Sequence, residues 1–404
     1  MGKPSENTID YYIQPNKILC SIYGLWPTDE ERTTSKQVLA VVHLVISVII
    51  VCSVFVPEVI ILTTKWRDLS ILAGAGTLTL TMTQFLFKTI YLTTKRDTAH
   101  RLLVELRSLW VTTDDPVERQ SYEVFAYWGR ISTIGFFMSA VGSTSLFLVT
   151  ATLDCFEDVE NSNRTNRHLP YDVWQELDFL KSPEFEVIYA CQILATLNAC
   201  CAVCGMDGMC WTTILYLSGQ FRLITTWLNN IGVEMNYKPH PKDCSVKVAA
   251  DLVKCIRHHQ RLSKVVKDVN SLLIPIIFIQ LLTSGVQICL SGFAVLSNNG
   301  GDNLLKFSCF LSSVLVQLVM YCWPGEILIQ ESQEVGYAAY LGVPWYQLPP
   351  AYRRQLMLII LKSQDGCSIS ALTFKSLGCH TLTSVFNTGS SYFALLRKMQ
   401  DTSS

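Results

Sequence analysis

The sequence predicts an all-α membrane protein with seven transmembrane helices, its N-terminus cytoplasmic and its C-terminus extracellular. Half of the 404 residues are hydrophobic and only 16% are charged, whereas soluble domains carry roughly a quarter charged residues. The apolar residues collect into seven runs, each near the about 20 residues that a helix needs to cross a bilayer. Lysine and arginine concentrate in alternate connections between those runs, which sets the direction of each span.

In chain order the expected spans are 38–59, 69–92, 131–153, 185–217, 272–296, 307–329 and 371–396. The first 35 residues are polar and include Asp29, Glu30, Glu31 and Arg32. No cleavable signal peptide is expected from them, and Glu6 stands where a myristoylation signal needs Ser or Thr. The seventh span is the most polar, with His380, Asn387 and several Ser and Thr. A helix of that kind is stable in a membrane when its polar side faces protein or water, which points to a pore.

Of the 32 Lys and Arg, 23 fall in segments 1–37, 93–130, 218–271 and 330–375, and eight fall on the opposite side. Positive charge is retained on the cytoplasmic side, so the N-terminus is expected inside. Lys88 is left within the second span near its inner end, where a long side chain is expected to snorkel to the interface. Asn163-Arg164-Thr165 is a glycosylation sequon in the third-to-fourth connection, on the side the charges place outside. That connection is also acidic, which suits either a cation-attracting vestibule or a solvated loop.

Inside, Val248, Leu252, Cys255, Leu262, Val266 and Val269 recur at helical spacing with Lys and Arg between them. They are expected to form a helix that leaves the bilayer and packs on partner helices.

Other constellations carry little chemistry. The 15 cysteines are scattered through apolar runs and read as small buried hydrophobes. Cys200, Cys201, Cys204 and Cys210 lack a second cluster at zinc-finger spacing, so neither metal nor other cofactor is expected. A net charge of −1 offers nothing to nucleic acid, and no residues suggest an enzyme. Asp207 is expensive in lipid; about 30 Å along its helix from Phe185, it is expected to have a structural partner near the inner interface. Glu326, beside Pro324 and Gly325, is the buried acid most suited to gating, while His258 and His259 are expected to pack and hydrogen-bond.

A seven-span chain with its N-terminus inside is inverted relative to G-protein-coupled receptors. The third span has no acidic-Arg-Tyr triplet, and Asn387-Thr388-Gly389-Ser390-Ser391-Tyr392 lacks the proline of their Asn-Pro-x-x-Tyr motif. Inverted repeats of a secondary transporter are not visible.

Several segments are in the order of another family. They are Leu169-Pro170-Tyr171 with Trp174, Asp207, Cys255-Ile256-Arg257-His258-His259 and Tyr321-Cys322-Trp323-Pro324-Gly325-Glu326. Ala338-Ala339-Tyr340 with Trp345, Leu361-Lys362-Ser363-Gln364, Ser384-Val385-Phe386 and Ser391-Tyr392-Phe393 follow. In these the chain resembles insect odorant receptors over residues 160–400. The related gustatory receptors, which end in a Thr-Tyr…Gln-Phe pattern, are the alternative. The family's shared co-receptor is considerably longer, so the resemblance is to a ligand-tuned subunit that assembles with that co-receptor as a heterotetramer in the plasma membrane of a sensory neuron dendrite.

The resemblance implies an odorant-gated, non-selective cation channel whose pore is lined by the seventh helix. Counted from Tyr392, its apolar gate positions are Leu395 and Met399, with Arg397 and Lys398 near the outer mouth. It also implies a site for a small volatile in the outer half of the bundle. There the expected contacts are Ala73 and Thr77 on the second span, and Ser143, Phe147 and Thr150 on the third. The fourth supplies Tyr189, Gln192, Ile193 and Thr196, and the sixth Phe310 and Val314. Tyr189 and Phe147 stand out among them.

Overall fold

A computed structural model of the chain describes residues 8–26, 34–66, 68–111, 113–161, 169, 183–237, 243–297, 301–371 and 376–403. The sequon at Asn163 lies outside the described residues. All regular elements among them are helical. Two short helices, α1 (Ile9–Tyr12) and α2 (Gln14–Ile22), lead into α3 (Thr34–Thr64) and α4 (Leu69–Thr94). An amphipathic α5 (Arg96–Leu109) follows, then the long α6 (Pro116–Asn161), α7 (Glu184–Tyr237), α8 (Asp243–Ser297) and α9 (Gly301–Tyr337). A π-helical turn at Ala338–Gly342 ends α9, and α10 (Pro350–Gln364) and α11 (Cys379–Ser403) complete the chain.

Five of these helices are long and apolar enough to cross a membrane: α3, α6, α7, α8 and α9. α4 and α11 have 26 and 25 residues, enough to span by length at 1.5 Å per residue. Threonine, glutamine and serine dilute their hydropathy. In α4 those hydroxyls bond back to their own helix, as Thr77 does to the Gly74 carbonyl and Thr79 to that of Ala75, which suits hydroxyls to a bilayer.

The 54 residues of α7 and 55 of α8 make rods of about 80 Å. That is far more than a hydrocarbon core of about 30 Å requires. The stretch 218–271, expected to be helical and to leave the bilayer, continues the fourth and fifth spans as the C-terminal part of α7 and the N-terminal part of α8.

α7 is the hub, packing against α6, α9, α8, α3, α2 and α4. Trp211, Leu215, Leu217, Phe221 and Leu228 are fully buried on it, because at its depth in the bundle every face meets another helix. Where backbones approach most closely the side chain is absent: a Cβ on Gly232 would collide with the carbonyl of Gly342 at the end of the π-helical turn.

The polar stretch 8–26 packs onto the bundle. Ile9, Ile13, Leu19 and Trp26 are buried in the main core, and Asn16 donates to Thr212 Oγ1 on α7 at 3.1 Å. Asp10 pairs with Arg107 at 2.9 Å, and the Arg130 guanidinium lies 4.1 Å over the Tyr11 ring. α5 likewise buries Leu102, Leu103, Leu106 and Leu109, a spacing that gives one apolar stripe.

The last span begins at Cys379 rather than 371. Ahead of it the Leu377 amide donates to the Ile369 carbonyl at 2.7 Å.

Candidate functional site

A cavity of about 310 Å³ opens among α3, α4, α6, α7, α8 and α9, within the range of small-molecule sites. Its height follows from helix periodicity. On α7 the lining residues are Thr196, Ala199, Cys200, Val203 and Cys204, one stripe at spacings of three and four. On α4 they include Thr77, Thr81 and Gln84. Phe136, Ala140, Ser143 and Phe147 line it from α6, and Phe307, Phe310, Val314 and Gln317 from α9.

Six of the eleven expected contacts line this cavity: Thr77, Ser143, Phe147, Thr196, Phe310 and Val314. Five do not. Ala73 is buried in a cluster with Phe293 and Ala294 of α8. The Thr150 hydroxyl is turned onto the Leu146 and Phe147 carbonyls of its own helix. Tyr189 shares a 2.6 Å hydrogen bond with Thr152 and packs against Phe185. Gln192 and Ile193 sit one turn above Thr196, with Tyr189 a turn beyond. They share the lining stripe of α7 but precede the cavity along the helix, where its lining begins at Thr196.

The depth exposes a polar floor that residue types alone did not reveal. Gln84 Nε2 donates to Thr283 Oγ1 at 2.5 Å and to Gln287 Oε1 at 3.3 Å. Gln287 Nε2 donates to Thr81 Oγ1 at 3.0 Å. Gln317 Nε2 reaches Asp207 Oδ2 at 2.6 Å.

Asp207 is fully buried, and so is its ion-pair partner Lys88, at 2.5 Å. Lys88 therefore does not snorkel; it points inward, where the carboxylate of Asp207 offsets the cost of its burial. Lys88 Nζ also donates to Gln280 Oε1 at 2.6 Å, and Tyr321 Oη to Asp207 Oδ1 at 2.6 Å. One hydrogen-bonded cluster thus joins α4, α7, α8 and α9 directly beneath the cavity. The expected structural partner of Asp207 is this lysine, from a span read separately.

Cys200 and Cys204 line the cavity. Among the described residues no group of three or more His, Cys, Asp or Glu is arranged to hold a metal.

α11 packs on α8, with Val385 near Gly285 and Phe393 near Gly292. Its other face carries Phe386, Tyr392 and Leu395, all exposed in the single chain. Lys398 is exposed too; Met399 is on the same helix, and its side chain lies outside the described residues. Glu326 is half-buried rather than buried. Its Oε2 accepts from the Cys379 amide at 3.0 Å, so it caps the first turn of α11, where amide donors lack partners within the helix.

Comparison with known proteins adds to this geometry. The family profile described as 7tm Odorant receptor matches residues 69–389. Odorant receptor 10 of Aedes albopictus is 27% identical over 238 residues, covering 58% of this chain and 61% of that protein. Odorant receptor Or2 of Anopheles gambiae is 24% identical over 234 residues, covering 58% of this chain and 62% of that one. The chain thus spans about three fifths of the length of each of these two relatives.

The solved insect olfactory receptor OR5 from Machilis hrabei, in complex with eugenol, superposes with a TM-score of 0.82 at 14% identity. That match covers 97% of this chain and 98% of that one, and shows a shared fold. With the family profile matching well over half of its length, and a helical bundle that follows a solved insect olfactory receptor from end to end, the chain belongs to the 7tm Odorant receptor family of multi-pass membrane proteins.

Proposed function

We propose that this chain is the ligand-tuned subunit of an odorant-gated, non-selective cation channel. A small volatile occupies the cavity among α3, α4, α6, α7, α8 and α9, and its binding biases α11 towards an open pore. One observation carries this reading: the cavity stands directly on the hydrogen-bonded cluster of Gln317, Asp207, Lys88 and Gln280, and α8, which supplies Gln280, also supports α11. A ligand shifts such an equilibrium only by binding the open arrangement more tightly. A shape change at the floor is transmitted to α8 through bonds too costly to leave broken.

In this reading the N-terminus is cytoplasmic and α11 runs outward along the pore. Leu395 and Met399 provide apolar rings that close it by excluding water, and Lys398 sits near the outer mouth. The other subunits are the family's co-receptor, in a heterotetramer of the dendritic plasma membrane. The base of the chain offers a surface for such assembly: Met357, Leu358 and Leu361 on α10 are each more than 60% exposed, an apolar patch of the kind that marks interaction surfaces.

The test is to record currents from cells expressing this chain with and without the co-receptor, across an odorant panel, with GTP omitted from the internal solution. Odorant currents that need the co-receptor and persist without GTP are expected. Currents that vanish without GTP would refute the channel reading.

A further inference from the structure

The hydrogen-bond directions at the cavity floor are fixed by chemistry rather than by choice of amide orientation. The Thr81 hydroxyl donates to the Thr77 carbonyl at 3.0 Å, so towards Gln287 it accepts, and Gln287 must present Nε2. The Thr283 hydroxyl donates to the Ile279 carbonyl at 2.6 Å, so Gln84 must present Nε2 to it. Gln317 faces a carboxylate, which accepts when ionised, so it too presents Nε2.

A primary amide has two N–H donors. Gln84 uses both, on Thr283 and Gln287. Gln287 uses one on Thr81, and Gln317 one on Asp207. Among the described residues, each of these two amides keeps a second N–H that no group of the chain accepts. Both side chains are more than nine-tenths buried and both line the cavity. A buried donor left without an acceptor forfeits the hydrogen bond it made to water, so this floor calls for an acceptor from its occupant.

The walls decide the rest of the occupant. Phe136, Phe147, Phe307 and Phe310 present ring surface. Glu58 and Lys306 also line the cavity with opposite charges, so the lining carries no net charge to select an ionised ligand of either sign.

Resting on the cavity being the odorant site, we propose that it selects neutral odorants carrying a carbonyl oxygen, such as ketones, aldehydes and esters, received by the Nε2 groups of Gln287 and Gln317. Gln317 is then both a contact for the ligand and a contact of Asp207. An oxygen bound there pulls on the same amide that anchors the ion pair.

The test compares straight-chain ketones with terminal alkenes of equal length on the wild-type chain expressed with the co-receptor. The alkene is the more hydrophobic, so without the amides it would be the stronger agonist; the ketone is expected to act at the lower concentration. Gln287→Met, which keeps the volume and removes the amide, is expected to raise the half-maximal concentration of the ketone about fivefold relative to that of the alkene. A wild-type chain that prefers the alkene, or a Gln287→Met chain that shifts both ligands equally, would overturn the proposal.

Ser143→Trp, which fills the cavity from α6, separates the two levels of the reading. Ketone currents unaffected by Ser143→Trp would mean that the odorant binds elsewhere, and the site assignment itself would fall. If Ser143→Trp abolishes the currents while ketone and alkene are equipotent, the cavity stands and the acceptor preference falls. Should Gln287→Met fail to reach the surface, the wild-type ketone-to-alkene ratio decides alone.

Discussion

Replacing Lys88 with Met should destabilise the bundle severely, and replacing Asp207 with Leu at the same time should cost less than the sum of the two single losses. Lys88 and Asp207 are both fully buried with 2.5 Å between Nζ and Oδ1. At an effective dielectric of about 20 their attraction is about 7 kcal/mol, but removing two ions from water costs several kcal/mol each. The net value of the pair against an apolar pair is therefore near zero, whereas leaving one charge buried alone costs about 3–5 kcal/mol.

In Lys88→Met the carboxylate keeps two neutral donors, Tyr321 and Gln317, which places the expected loss at the lower end, about 3 kcal/mol. In Asp207→Leu the ammonium keeps, among the described residues, the Gln280 oxygen as its one hydrogen-bond acceptor, so the loss should be larger. The assay is unfolding of the detergent-solubilised chain in graded SDS, for wild type, both single variants and the double variant. A coupling of at least about 2 kcal/mol in the double-mutant cycle is expected. A Lys88→Met chain as stable as wild type, or a double variant showing the simple sum of two losses, would refute the argument that the ion pair is a single unit.

Glu326→Ala removes the carboxylate that accepts from the Cys379 amide, and loss of such a cap costs about 0.5–2 kcal/mol. Odorant currents should shrink or shift in ligand concentration, with Glu326→Asp intermediate, as whole-cell recordings would show. Lys398→Gln removes an exposed positive charge from α11; single-channel recording should show higher cation conductance, and an unchanged value would argue against its place at the mouth. Burial, followed by the charges of Arg261 and Lys254, holds His258 down to about 4, and burial, followed by Lys362, does the same to His259. An unfolded histidine titrates near 6.5, so the unfolded chain binds the extra protons first and stability falls as pH drops from about 6.5 to 4, by at most about 1.4 kcal/mol per pH unit for each ring. Replacing His259 with Phe should flatten that dependence in thermal unfolding of the solubilised receptor.

The two parts of the molecule were legible to different degrees. Spans rich in Leu, Val and Ile, such as 38–59, are recognisable because burial in lipid demands a long unbroken apolar run. The N-terminal helices and α5 are missed by that criterion: their apolar residues form one face only, and Asn16, polar by type, is fully buried against Thr212. At the cavity, Phe147 and Thr196 are apolar or small residues at expected heights, whereas Gln84 and Gln287 read as ordinary polar residues until their partners are known.

By itself the sequence determined the helical class, the topology expected from the charges and the family, since each depends on composition or on local order along the chain. Only the tertiary structure decided that Lys88 points inward to Asp207, that the cavity starts beyond Tyr189 along α7, and that α11 begins at Cys379 under a cap from Glu326. Each of these joins residues more than 50 positions apart or compares their depths in different helices. Such relations depend on the rotation and height of one packed helix against another, which the periodicity of neither helix specifies.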